Sequence, residues 1–270
     1  TSVYLVDRTI PMLPERLSNN LCSLRPNEDR LAFSAVFEMD EKGEVHAEWF
    51  GRTVIHSDRR FTYAEAQERL KTGEGDFSAE VQTLDGISKA LRAKRFDNGS
   101  IDFNTEEVRF VLDDEARPVE VVIKRMTDAN QLIEEFMLLA NIHVAKRISK
   151  KQNGKPGAGV YRIHDKPDPQ KLNTLRTFVA QFGHKMQRVE PEQASGELNK
   201  LLQSVRGKQE ERIVAMMAIR SMAKAVYSTD NIGHYGLGFE DYTHFTSPIR
   251  RYPDMLVHRL LQHYLDGGES

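Results

Sequence analysis

The sequence is short of the residues on which several chemistries depend. It holds one cysteine and one tryptophan in 270 residues. A lone thiol excludes an intramolecular disulfide framework and fits a reducing compartment, so a cytoplasmic protein is expected. Cys22 lies between leucines in Leu21-Cys22-Ser23-Leu24, which favours a small buried side chain over a nucleophile. No apolar run approaches the ~18 residues of a membrane span. There is no CxxC, and His234, His244, His258 and His263 lack a zinc-ligand spacing. The absence of a G-x-S-x-G elbow and of a G-x-x-x-x-G-K-[ST] loop excludes serine hydrolases of that type and P-loop NTPases. Excess charge is missing too: the formal net charge is -2. That excludes a uniformly basic nucleic-acid surface and leaves room for a basic channel.

What is present is an ordinary globular composition, 39% hydrophobic and 29% charged. Strand patterns come as hairpins: Leu31 to Met39 with Val45 to Ile55 across Asp40-Glu41-Lys42-Gly43, and Val108 to Leu112 with Val119 to Ile123. Leu31, Phe33, Ala35, Phe37 and Met39 alternate, which predicts one buried face. Helices are predicted over Glu15 to Leu24, Tyr63 to Leu70 behind a Thr62/Glu65 capping box, Ser78 to Arg95, and Ala129 to Ile148 behind Asp128. Further helices are predicted over Pro169 to Phe182, Gln193 to Val205 and Glu210 to Tyr227. Lys89, Arg92, Lys94 and Arg95 are assigned to a polar face. Ile133, Phe136, Met137, Ala140 and Val144 make a core stripe, and Ile213, Met216 and Met217 another, close to Arg220. Glu134 and Asn141 share a face, solvent or polar site. KKQNGKPGAG at 150–159 is a flexible loop. The fold class is therefore α+β, hairpins packed with helices, rather than a doubly wound sheet.

One stretch does not look like core filling. From Gly233 to Leu261 the chain reads GHYGLGFEDYTHFTSPIRRYPDMLVHRLL. Ser247-Pro248 is a helix start, and Ile249, Tyr252, Leu256, Leu260 and Tyr264 follow as its apolar face. Pro253 forces either a kink or a start at that residue. In both registers Arg250 and Arg251 stand at the positive end of a helix dipole, a place that suits them when an anion such as phosphate lies between them. The plainer alternative pairs Arg250 with Asp254 at i+4. Tyr4, Phe103, Tyr242 and Phe245 are candidates for stacking unpaired bases, with a core role the alternative for Phe103.

These residues resemble a known family. His234-Tyr235-Gly236-Leu237, followed by Tyr242-Thr243-His244-Phe245-Thr246-Ser247-Pro248-Ile249-Arg250-Arg251-Tyr252-Pro253-Asp254, resembles the signature of the ribonuclease II / ribonuclease R (RNB) exoribonucleases, most of all the bacterial ribonuclease R branch. Ile10-Pro11-Met12-Leu13-Pro14, Leu132-Ile133-Glu134-Glu135 with Ala140-Asn141, and Tyr161-Arg162-Ile163-His164 look like further family blocks in family order. The resemblance implies a single partial catalytic domain over 1–270, with its elements around an RNA channel. It implies 3′-to-5′ processive hydrolysis of single-stranded RNA to nucleoside monophosphates with Mg²⁺, by a monomer and without a membrane. It places Arg250 on the phosphate and Tyr4 and Phe103 on stacked bases. Tyr63, Glu134, His244, Thr246, Ser247 and Arg251 then belong to the RNA path.

The sequence departs from the family in one respect. The family's metal-binding D-x5-D-x-D-D cluster is nowhere in the chain, and Asp113-Asp114 lacks the aspartates that would precede it. Thr1-Ser2-Val3-Tyr4 reads as the middle of a strand. The expectation is an internal piece of a longer enzyme, without tightly bound metal and inactive alone, or else a non-catalytic RNA-binding relative.

Overall fold

The computed structural model describes residues 1–103, 107–124, 126–150 and 157–269. In chain order the strands are β1 (Val3–Tyr4), β2 (Thr9–Ile10), β3 (Asp29–Met39), β4 (Val45–His56), β5 (Glu107–Leu112), β6 (Pro118–Lys124), β7 (Tyr161–Ile163) and β8 (Val226–Ser228). The α-helices are α1 (Tyr63–Thr72), α2 (Ser78–Asp97), α3 (Asp128–Ser149), α4 (Pro169–Ala180), α5 (Ala194–Val205), α6 (Glu211–Ser221) and α7 (Tyr252–Leu265). Among the described residues the strands pair as β1-β2, β3-β4, β5-β6 and β7-β8, all antiparallel. This is the α+β class that the hairpin pattern predicts. The chain forms two compact units, residues 1–92, 106–159 and 244–270 in the first, and 93–105 and 160–243 in the second.

In the first unit β3 and β4 turn over Asp40–Gly43. Gly43 has φ 73°, and Asp40 Oδ1 accepts the N–H groups of Lys42 and Glu44, each at 2.9 Å. The alternating face of β3 is covered by aromatic rings: Phe33 lies edge-on to Phe245 at 5.7 Å, and Phe37 edge-on to Phe50 at 6.1 Å. Leu31 lies outside that cover at 83% exposure, and Phe33, Ala35, Phe37 and Met39 are half-buried, so the face predicted as buried is covered only in part. The Thr62/Glu65 capping box forms as predicted, Thr62 N–H donating to Glu65 at 2.7 Å and Glu65 N–H to Thr62 at 3.2 Å.

In the second unit Leu172, Leu175, Val179, Leu198, Leu201, Val205, Val214 and Ala218 form the core. Each such side chain contributes about 1.5–3 kcal/mol through burial, less for alanine. Asp168 caps α4 by accepting the N–H groups of Gln170 and Lys171.

Several expectations fail. The segment from Glu15 to Leu24 holds only a short π-helical stretch, Arg16–Leu21, and Cys22 just after it is exposed. The α3 cap is Thr127, reciprocated by Asn130, one residue before Asp128. The buried line of α3 runs through Leu132, Glu135, Leu138, Leu139, Asn141, Val144, Ala145 and Ile148, while Ile133 and Met137 are exposed. Arg95 is buried, not on a polar face, and donates to Ser100 Oγ at 2.8 Å. The helix expected to reach Tyr227 ends at Ser221, because Met222 turns extended and Val226–Ser228 pairs with β7. Its buried line is Val214, Ala218 and Ser221; Ile213, Met216 and Arg220 are exposed. The loop expected at 150–159 falls largely on residues 151–156, outside the described residues. Among the described residues no helix is long and apolar enough to cross a membrane.

Candidate nucleic-acid interface

The geometry starts at the N-terminus of α7. Ser247-Pro248 opens a single turn in which the Ser247 carbonyl accepts the N–H groups of Arg250 (3.2 Å) and Arg251 (3.0 Å). The regular helix begins at Tyr252 with Pro253 in its first turn, where a missing donor costs nothing. The apolar face follows that later start: Asp254, Val257, Leu261 and Tyr264 are buried, while Ile249 and Tyr252 are exposed, against expectation. Asp254 is 0% exposed. Its Oδ2 accepts from Arg251 Nε (2.9 Å), and its Oδ1 accepts from Arg251 Nη2 (2.7 Å) and from Ser247 N–H (2.8 Å). So Asp254 is paired with Arg251 at i+3, not with Arg250 at i+4. The Arg250 guanidinium is exposed and has no ion pair or hydrogen bond among the described residues. A bare cation at a helix start is a ready anion contact.

Tyr4 is attached to the same place. Ser2 N–H donates to the Arg250 carbonyl at 2.9 Å, and Ser2 Oγ accepts the Met12 N–H at 2.9 Å. Tyr4, 62% exposed and paired with Thr9, is two residues further along, about 7 Å of extended chain. The structure thus brings the Tyr4 and Arg250 backbones to one locality from opposite ends of the chain, and both residues are exposed.

The segment leading into Arg250 is held by side chains. Phe245 is 4% exposed, which removes it as a stacking platform; Tyr242, in the second unit, is equally buried. Phe245 N–H donates to Asn141 Oδ1 at 2.9 Å, and its carbonyl accepts from His258 Nε2 at 2.8 Å. The His258 ring stacks on Phe245 with centroids 4.2 Å apart. Burial pushes the His258 pKa down, which keeps the imidazole neutral. His244, Thr246 and Ser247 are half-buried around this clamp. The sequence offered a signal for these residues, since Asn141, Asp254 and His258 are polar positions on otherwise apolar helix faces.

The remaining candidates lie elsewhere. Glu134 is half-buried on α3, next to the fully buried Glu135, whose carboxylate stands 3.5 Å from Arg92. Tyr63, 51% exposed, lines an open groove of about 630 Å³ with Phe61, Phe77, Leu84 and Ile133. Arg59 and Arg69 each sit 4.9 Å from the Phe61 ring in that region. Phe103 belongs to the second unit, where it rests half-buried against the core.

The described residues do not fit a bound magnesium ion. Among those described, no group of three or more His, Cys, Asp or Glu side chains is placed to hold a metal. Asp113 is engaged in its hairpin turn, its Oδ1 accepting the N–H groups of Glu115 and Arg117 at 2.9 Å each.

The RNB domain model matches residues 1–267. The chain belongs to the RNB domain family. It is 39% identical over 275 residues to ribonuclease R of Aquifex aeolicus, covering 98% of this chain and 38% of that protein. Two solved structures of Mycoplasma genitalium RNase R resemble it. The complex with double-stranded RNA matches with TM-score 0.89 and 31% identity, over 98% of this chain and 47% of that one. The complex with ribose methylated single-stranded RNA matches with TM-score 0.87 and 30% identity, over 98% and 42%. The chain thus spans less than half the length of these RNB proteins. The fold of an RNB domain, with its small antiparallel sheets among helices, is the one observed here.

Proposed function

We propose that this chain is the RNA-holding part of a 3′-to-5′ processive exoribonuclease that hydrolyses single-stranded RNA to nucleoside monophosphates in the cytoplasm. Arg250 binds a backbone phosphate, Tyr4 stacks a base beside it, and Phe103 stacks another. Tyr63, Glu134, His244, Thr246, Ser247 and Arg251 border the RNA path, Arg251 by shaping the turn. The single observation that carries the reading is the exposed, unpaired guanidinium of Arg250, a residue whose backbone carbonyl is tied through the Ser2 N–H to the strand that bears Tyr4. A charged contact and a stacking ring are the two requirements of single-strand binding. Mg²⁺ would supply phosphate polarisation and water activation in the full-length protein. The described residues offer it no carboxylate cluster, so hydrolysis is not assigned to them.

The test is Arg250→Ala in the full-length protein. Turnover of a poly(A) substrate falls strongly while the fold is kept, and degradation at the wild-type rate would end the proposed role. A second reading is a non-catalytic RNA-binding relative, whose full-length sequence would carry no D-x5-D-x-D-D cluster. Incubating the full-length protein with poly(A) and Mg²⁺ separates the two: release of nucleoside monophosphates supports the first, and binding without release supports the second.

A further inference from the structure

Phe245 lies in a stretch with no strand partner, yet its peptide groups are satisfied on both sides. Asn141 from α3 takes its N–H and His258 from α7 takes its carbonyl. Two residues on, Asp254 takes the N–H of Ser247, and the Ser247 carbonyl receives the Arg250 N–H. Asn141 is buried among Leu138, Val144 and Ala145, and His258 is flanked by Val257 and Leu261. Apolar side chains at these two positions would bury well. A buried polar group offsets its desolvation only through its hydrogen bond, so as stabilisers these residues gain little over leucine. What a hydrogen bond adds is direction. A segment held at Ser247 alone can pivot; held at Phe245 as well, it cannot. The Phe33 ring, 5.2 Å from His258 and 5.7 Å from Phe245, packs edge-on beside the stacked pair.

We infer that Asn141 and His258 are positioning residues, which set where the Arg250 guanidinium stands by clamping the Phe245 peptide. The inference rests on the phosphate role proposed for Arg250, and both are tested in one experiment. The probe is a 5′-fluorescein-labelled 20-nucleotide oligoadenylate, bound to the full-length protein in EDTA and followed by anisotropy across a salt series. Arg250→Ala weakens binding about tenfold, the loss of one charge-assisted contact. It also lowers the slope of log K against log salt by about 0.7, one phosphate's share on a single strand. His258→Phe keeps the stack on Phe245 and removes the donor. It produces the same two changes in the wild-type background and less than a twofold change in Kd in the Arg250→Ala background. Loss of stability alone does not alter the salt slope of the folded protein. His258→Gln, which can restore a donor, recovers part of the affinity. Should His258→Phe not fold, Asn141→Leu runs through the same cycle with the same expectations. An unchanged salt slope, or an equal loss in both backgrounds, overturns the positioning role while leaving the phosphate role standing. Wild-type affinity and slope in Arg250→Ala overturn both.

Discussion

Removing the Asp254 carboxylate strands the Arg251 guanidinium and the Ser247 N–H together. Asp254 is 0% exposed and accepts three hydrogen bonds, two from Arg251 and one from Ser247. Deleting one partner of a buried ion pair costs about 3–5 kcal/mol, because the other charge stays behind. The Arg251 side chain keeps 24% of its exposure, so water reaches part of it and the lower half of that range applies. An unsatisfied Ser247 N–H adds about 1 kcal/mol. Asp254→Ala is therefore expected to destabilise the fold by about 4–5 kcal/mol. Asp254→Asn, which keeps one acceptor, is expected to cost about half as much. Urea unfolding at constant m-value measures both. The double variant Asp254→Leu with Arg251→Met removes the pair as a unit and should recover at least half of the single-site loss. A single-site loss below about 1 kcal/mol, or a double variant no better than the sum of its parts, would refute the account of Asp254 as the charge that engages Arg251.

Three further outcomes follow from the same geometry. Thr62→Ala removes the α1 capping box and should cost about 1 kcal/mol in urea unfolding, with Thr62→Ser close to neutral. The His258 pKa is lower in the folded chain, so below its unfolded value of about 6.5 the unfolded state binds the extra proton; stability falls as pH drops from there, and His258→Gln flattens that slope below about pH 6.5 in a pH series of melting temperatures. Gly43→Ala meets both a φ of 73° and Leu91 Cδ2 at 3.1 Å and should destabilise by about 1–2 kcal/mol, whereas Gly86→Ala, in mid-helix with nothing within 4 Å of the added carbon, should stabilise by about 0.5–1 kcal/mol. The opposite signs at these two glycines are read directly from melting temperatures.

Local chemistry was legible wherever a short-range rule decides the outcome. The Asp40–Gly43 turn, the Thr62/Glu65 box and the β3-β4 hairpin follow from residues that touch their own neighbours. Helix faces were legible only where the buried line is apolar. On α3 and α7 it is not: Glu135, Asn141 and Asp254 are buried, each with a partner from a remote part of the chain or a neighbouring turn. Counting them as solvent-facing rotates the expected stripe, which is how Ile133 and Ile249 came to be placed inside and Leu132 and Val257 were passed over. Periodicity reads hydrophobicity, and it has no way to register a polar group whose cost is offset by a bond from elsewhere.

The arginine pair shows the same limit inside the site. Two adjacent, identical side chains were expected at one anion, with Arg250 the candidate for Asp254 if no anion came. Spacing allowed that, since i+4 and i+3 both reach on a helix. The helix, however, starts at Tyr252, so Arg250 lies in the preceding turn and only Arg251 meets the carboxylate from the helix cap. Asp254 thereby gives the two arginines different work: one completes the turn, the other is left facing solvent. It follows that Arg251→Ala should weaken RNA binding chiefly by loosening the turn, and Arg250→Ala by removing the charge. A double-variant cycle separates them: if Arg251 acts only through the turn, Arg251→Ala weakens binding in the wild-type background and changes Kd less than twofold in the Arg250→Ala background. Equal losses in both backgrounds would mean that Arg251 leaves Asp254 to make its own RNA contact, and that the sorting of the pair seen here does not survive the ligand.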